Sequence, residues 1–224
     1  QLIRTLVRSQ TYRMSSEFNS GYQAIDPNNE LLWRHTPQRL NAEAFRDALL
    51  NASGRLDRER PLASQVGNLG DPGFGSRLRR TGDAGASLEY RSVYLPMIRD
   101  AVPESLALFD AADPNLVTGT RESTSVPGQA LYMMNSKFVM KNSQLLASRI
   151  QKPGASEVDQ IKRAYRAVLS RLPQQKEIRR AEEVIGSSRK KLLNQNKSEA
   201  DANEIAFAAF CQALFASGEF RILN

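Results

Sequence analysis

Glu43 and Asp47 stand four residues apart in Asn41-Ala42-Glu43-Ala44-Phe45-Arg46-Asp47-Ala48-Leu49-Leu50, a spacing that puts both carboxylates on one helical face. Two acids so placed can do general acid/base work if one is held protonated near neutral pH. Arg39 and Arg46 are the neighbours expected to neutralise them, so a partly buried ion-pair cluster is the competing reading. One observable separates the two: a catalytic carboxyl titrates well above its ordinary value.

A second set of acids, Asp110 and Asp113, lies in Phe109-Asp110-Ala111-Ala112-Asp113-Pro114-Asn115. Carboxylate oxygens of this kind can hold calcium, but the spacing does not match a calcium-binding helix-loop-helix. Asp-Pro also opens Asp26-Pro27-Asn28, and the pair is a common start for helices and turns. Capping is the expectation at both, and no metal ligands are assigned.

Other reactive side chains are scarce. His35 is the only histidine and Cys211 the only cysteine. One cysteine excludes an intrachain disulfide, a thiolate zinc cluster and a Cys-x-x-Cys-His haem attachment within this sequence. Cys211 sits in Ala208-Ala209-Phe210-Cys211-Gln212-Ala213-Leu214-Phe215 and reads as a small buried hydrophobe. A Ser-His-Asp triad would have to use His35, and Ser15 and Ser16 have no nucleophile-elbow context. Gly70-Asp71-Pro72-Gly73-Phe74-Gly75 has the glycines of a phosphate loop, without a buried strand before it or a helix start after it.

The net charge of +7 raises the question of a polyanionic partner. Its cations concentrate in Lys162, Arg163, Arg166, Arg179, Arg180, Arg189, Lys190 and Lys191, with Arg171 and Lys176 between them. Glu177, Glu182 and Glu183 interrupt this stripe at helical ion-pair spacing. Without a recognition helix, zinc module or stacking aromatics, nucleic acid is an unfavoured partner. A solvated helix face is the ordinary reading, and a sulfated polysaccharide the sharper one.

These residues must be positioned by helices. Leu2, Ile3, Leu6 and Val7 share a face in residues 1–10, an amphipathic helix whose uncapped start is that of a piece of a longer polypeptide. Asp26 and Pro27 predict an N-cap and first helical position, with Leu31, Leu32 and part of Trp33 buried. Asn41 caps the helix of Glu43, with Leu40 and Phe45 placed as a hydrophobic staple and Gly54 as terminator. Residues 57–87 read as a Gly/Arg-rich loop. Leu88 to Leu95 is the strand candidate, ended by Pro96, and a short helix follows Pro103. Beyond Pro127 the chain is helical: Pro127 to Met134, Ser136 to Ile150, a helix begun by Ser156 and Asp159 and stopped by Pro173, and Gln174 to Asn194. A final helix follows, capped by Ser198 with Asp201, with Ile205, Phe207, Phe210, Leu214 and Phe215 inward. No apolar run reaches the roughly 20 residues that span a bilayer.

The expected fold is mainly α: an irregular N-terminal part over 1–150 with at most a small β element, and an antiparallel helical bundle over 151–224, packed as one domain.

Ser9 through Ser16, Asp26 through Asp47, Arg91-Ser92-Val93-Tyr94-Leu95-Pro96, Phe109 through Pro114, Thr124 through Leu131 with Asn135-Ser136, and Ser217-Gly218-Glu219-Phe220 together resemble a planctomycete-type domain of unknown function, the domain of unknown function 1553 family. The resemblance spans the whole chain in the right order. It implies the C-terminal part of a large exported bacterial protein, often with c-type haem modules upstream, so no cofactor is expected within this chain. It carries over no catalytic residues. The expected function is a non-catalytic structural or interaction module, with upstream domains of the same polypeptide as partners. The alternatives are a carbohydrate-active enzyme domain using the carboxylates above, or a module binding a polyanion.

Overall fold

The computed structural model describes residues 1–63, 88–97, 102–117, 119–152 and 154–223. In the described residues the fold is mainly α, with helices α1 (Leu2–Arg8), α2 (Ser20–Ile25), α3 (Ala42–Ser53), α4 (Glu104–Ala107), α5 (Pro127–Asn135), α6 (Lys137–Ile150), α7 (Glu157–Leu169), α8 (Gln175–Asn194) and α9 (Glu199–Ala216). Strands β1 (Gln38–Arg39) and β2 (Ile222–Leu223) pair antiparallel, Gln38 opposite Leu223 and Arg39 opposite Ile222. Two compact units result: 1–40 with 221–224, and 41–220.

Local chemistry sets the helix starts. Asn41, Ser136, Ser156 and Ser198 each accept an N–H of the first helical turn, from Ala44, Phe138, Asp159 and Asp201. Gln174 and Glu177 form a reciprocal capping box for α8. At the other end of α3, Gly54 adopts φ 80°, and Arg149 donates to the Ala52 carbonyl at 2.9 Å. A Cβ at position 54 would lie 3.3 Å from Arg149 Cδ, so glycine suits the left-handed backbone, and any other residue there would also press on the Arg149 side chain.

The core of the larger unit is centred on α9, which is apolar nearly all round and packs against α5, α6, α7 and α8. Ala206, Phe207, Cys211 and Phe215 are fully buried along it. The sequence placed Ile205 in this set, but its side chain leaves the packed face and is 41% exposed. A relay of rings joins the other elements: Phe45 stacks on Phe109 at 4.1 Å, and Phe220 meets both Phe45 (5.6 Å) and Phe215 (5.1 Å). Between α3 and α6, Ser53 Oγ donates to the buried Asn142 at 2.7 Å.

Three expectations need correction. Asp26 is not an N-cap: it terminates α2, and its carboxylate accepts from the N–H groups of Glu30 (3.0 Å) and Leu31 (2.7 Å) across a loop. Asn29 and Leu32 there have φ of 56° and 55°, which breaks any helix. Leu31 and Leu32 are exposed, and only Trp33 turns inward, its Nε1–H donating to the Asp26 carbonyl at 2.9 Å. The strand over 88–95 is instead a single bridge between Asp57 and Tyr90 and a 3-10 turn at Ser92–Tyr94. Finally, α7 ends at Leu169, with Ser170 left-handed at φ 56°, before Pro173 is reached. Leu172 is consequently exposed. The glycine loop at 70–75 lies outside the described residues, as does most of the stretch 57–87.

Candidate site on α3 and its fate

Asn41, Ala44, Ala48 and Asn51 follow one another along α3 and leave a trough, because no large side chain fills it. The cleft encloses about 600 Å³, and its lining includes Glu43, Asp47, Arg58, Arg91 and Val93. A neighbouring cleft of about 440 Å³ shares Glu43 and Val93 and reaches Arg121. The helix therefore presents Glu43 and Asp47 together, as their spacing implied.

Each acid is nonetheless committed to a protein partner. Glu43 Oε2 accepts from Arg121 Nη1 at 2.7 Å. Burial opposes ionisation of Glu43, but the Arg121 hydrogen bond, its own backbone N–H and the guanidinium charge outweigh it, so its pKa falls below 4.5. A general acid needs the opposite shift. Arg121 is raised in turn, by that hydrogen bond and charge. Asp47 Oδ1 accepts from the Ser92 N–H at 2.7 Å and from Ser92 Oγ at 2.6 Å.

Arg46, expected with Arg39 to neutralise the two acids in a partly buried cluster, is fully buried and approaches Asp47 at 4.0 Å, but it spends its hydrogen bonds elsewhere. Its guanidinium donates to the carbonyls of Leu88 and Tyr90 and to Ser92 Oγ (3.1 Å), and lies over the Phe138 ring at 5.6 Å. Ser92 Oγ thus accepts from Arg46 while donating to Asp47, and is itself buried. That is a strut between α3 and residues 88–92. The neutraliser of Glu43 is Arg121, which lies 78 residues away.

Asp110 and Asp113 serve turns. Asp110, left-handed at φ 64°, accepts from the Thr124 N–H (2.8 Å) and Thr124 Oγ1 (2.6 Å). Buried Gln129 braces this turn through the carbonyls of Leu108 and Thr124. Asp113 accepts from the Asn115 N–H at 2.8 Å. Among the described residues no three of His, Cys, Asp and Glu converge as a metal site. His35 gives its backbone N–H to the Ser15 carbonyl, and Cys211 is buried with its thiol pushed well above the ordinary value by burial.

Of the basic candidates, Lys162, Arg163 and Arg166 on α7 and Arg179, Arg180, Lys190 and Lys191 on α8 are exposed. Arg189 is half-buried and paired with Glu157. Arg171, outside the candidate set, is bidentate to both Glu177 (2.8 and 2.7 Å) and Glu219 (2.5 and 2.7 Å). It also covers the Tyr165 ring at 5.4 Å.

A mainly α protein whose acids serve as internal ties is the class that the fold and site define. The family model PSD1, described as a protein of unknown function (DUF1553), matches residues 1–185, so the chain belongs to that family. No curated protein and no solved structure matches the chain. No helix among the described residues is long and apolar enough to cross a membrane.

Proposed function

We propose that the chain is a non-catalytic interaction module that docks onto a companion protein domain through the apolar face of α1. The observation that carries this is that α1 buries none of its seven residues. Leu2 and Ile3 are 72% and 76% exposed, and Leu6 and Val7 are exposed beside them. A helix this short is marginal in water, well under the roughly 12–15 residues that even favourable sequences need. Its apolar stripe therefore calls for a covering surface. The family resemblance supports a covering surface within the same polypeptide, read here as an exported bacterial one with haem-bearing domains as the expected neighbours.

The committed acids support the non-catalytic half of this reading. Glu43, held ionised by Arg121, has the wrong shift for the acid of a carbohydrate-active enzyme. Hydroxyl-radical footprinting tests the docking half. Leu2, Ile3, Leu6 and Val7 should oxidise readily in the purified chain and be protected in cells that make the natural protein. Equal oxidation in both settings refutes it.

A second reading rests on α7 and α8. Arg179, Arg180, Lys190 and Lys191 fall within about a third of the α8 circumference at 3.6 residues per turn, and none has an ion-pair partner among the described residues. This favours an anionic polysaccharide over a fully compensated face. Heparin retention should then fall steeply with salt and drop further in Arg179→Ala/Lys190→Ala. Retention indifferent to salt removes this reading.

A further inference from the structure

The cleft along α3 holds two cations that have no carboxylate partner among the described residues. Arg91 is exposed, and its guanidinium has no hydrogen bond or ion pair among the described residues. Arg58 spends only one nitrogen, Nη2, on Asn51 Oδ1 at 3.0 Å and likewise has no carboxylate partner there. By contrast, Glu43 is neutralised by Arg121, and Asp47, hydrogen-bonded by Ser92, has the buried Arg46 guanidinium 4.0 Å away as its counter-charge. The uncompensated charge in the cleft is thus positive, and it is carried by guanidinium forks suited to a planar carboxylate.

Other features narrow the ligand. Among the described residues no aromatic side chain lines the cleft, so a nucleobase finds no stacking platform there. An extended peptide would need free backbone groups along an edge. Instead, the N–H groups of Ser92, Tyr94 and Leu95 are spent on Asp47 and on the carbonyls of Arg91 and Ser92. Recognition falls to side chains: the amides of Asn41 and Asn51, the remaining carboxylate oxygens of Glu43 and Asp47, and small apolar surface from Ala44, Ala48 and Val93. Amides and carboxylates along a trough bond sugar hydroxyls, while the alanines and valine meet the C–H face of a ring. The volume of about 600 Å³ lies within the usual range for small-molecule sites and far exceeds that of a lone ion.

We propose that this cleft binds an acidic saccharide, with a ring carboxylate held between Arg91 and Arg58 and ring hydroxyls bonded along α3 from Asn41 to Asn51. The site is separate from α1, so its failure leaves the docking reading standing.

The test is calorimetric titration of the full chain with trigalacturonate, neutral maltotriose and acetate at low salt. Trigalacturonate should bind, maltotriose and acetate at least tenfold more weakly, and Arg91→Ala or Arg58→Ala should weaken trigalacturonate at least tenfold. Both arginines are exposed, so circular dichroism should show the variants folded. Arg179→Ala/Arg180→Ala, on α8, should bind as the parent does. Absence of trigalacturonate binding overturns the proposal, as does acetate binding equally well (a simple anion site). Parent-like affinity in Arg91→Ala overturns it too, and so does loss of binding in the α8 variant, which would move the site to the other basic surface.

Discussion

Arg171→Ala removes the guanidinium that joins the α7–α8 connection to the closing turn at Glu219–Arg221, and leaves Glu177 and Glu219 facing each other. The Arg171 hydrogen bond, against the cost of burial and with help from the Gln174 N–H, lowers the Glu177 pKa from 4.5 to about 2. At 1.36 kcal/mol per pH unit that is roughly 3 kcal/mol of gross preference for the charged, paired form. Arg171 and Glu219 each expose 35% of their side chains, and solvent screening reduces the yield to roughly 1–2 kcal/mol. Loss of the Tyr165 contact adds about 0.5–1 kcal/mol, giving about 2 kcal/mol for the substitution. Urea unfolding should show this as a midpoint lower by about 1 M at unchanged slope. The pH dependence has a definite sign. A depressed carboxyl pKa contributes stability that is present above about pH 4.5 and lost as pH falls through about 2. The parent should therefore weaken between about pH 5 and pH 2, and Arg171→Ala should show a flatter decline over that window. A midpoint shift under about 0.3 M, or equal acid sensitivity in the two proteins, would refute the reasoning.

Arg46→Met should cost about 3 kcal/mol or more by urea unfolding, because it strands the half-buried carbonyls of Leu88 and Tyr90 and leaves the buried Ser92 Oγ without its donor. Gly54→Ala should cost about 1 kcal/mol, since φ 80° disfavours any Cβ and Arg149 stands in its way. The same denaturation curves report it. Asn41→Ala should cost about 1 kcal/mol through loss of the bond to the Ala44 N–H. Cys211 should resist a thiol reagent at pH 8 in the folded chain and react at once in denaturant, because it is buried and its thiol is held protonated. Prompt reaction under native conditions would contradict that placement.

The features legible in the sequence are the local ones. Asn41, Ser136, Ser156 and Ser198 act on N–H groups two or three residues away, and glycine at 54 answers a single backbone angle. Asp26 misled because an Asp side chain caps loop amides as readily as helical ones, and only the left-handed Asn29 and Leu32 decide between them. Residues 88–95 have strand-forming side chains but no partner strand among the described residues; the carbonyls at 88 and 90 go to Arg46 instead. That burial had a readable signal: Arg46 falls beside Phe45 and three residues before Leu49, on the apolar side of α3. Co-facing of Glu43 and Asp47 follows from spacing alone. Their partners Arg121 and Ser92 do not, since contacts across 78 and 45 residues depend on the whole fold.

Carbon-detected NMR titration of the Glu43 carboxyl, in the parent and in Arg121→Ala, tests most directly whether this acid is a structural tie. The midpoint should lie below 4.5 in the parent and rise once Arg121 is removed. A parent midpoint above about 6, where a carboxyl can serve as a general acid, would contradict the account.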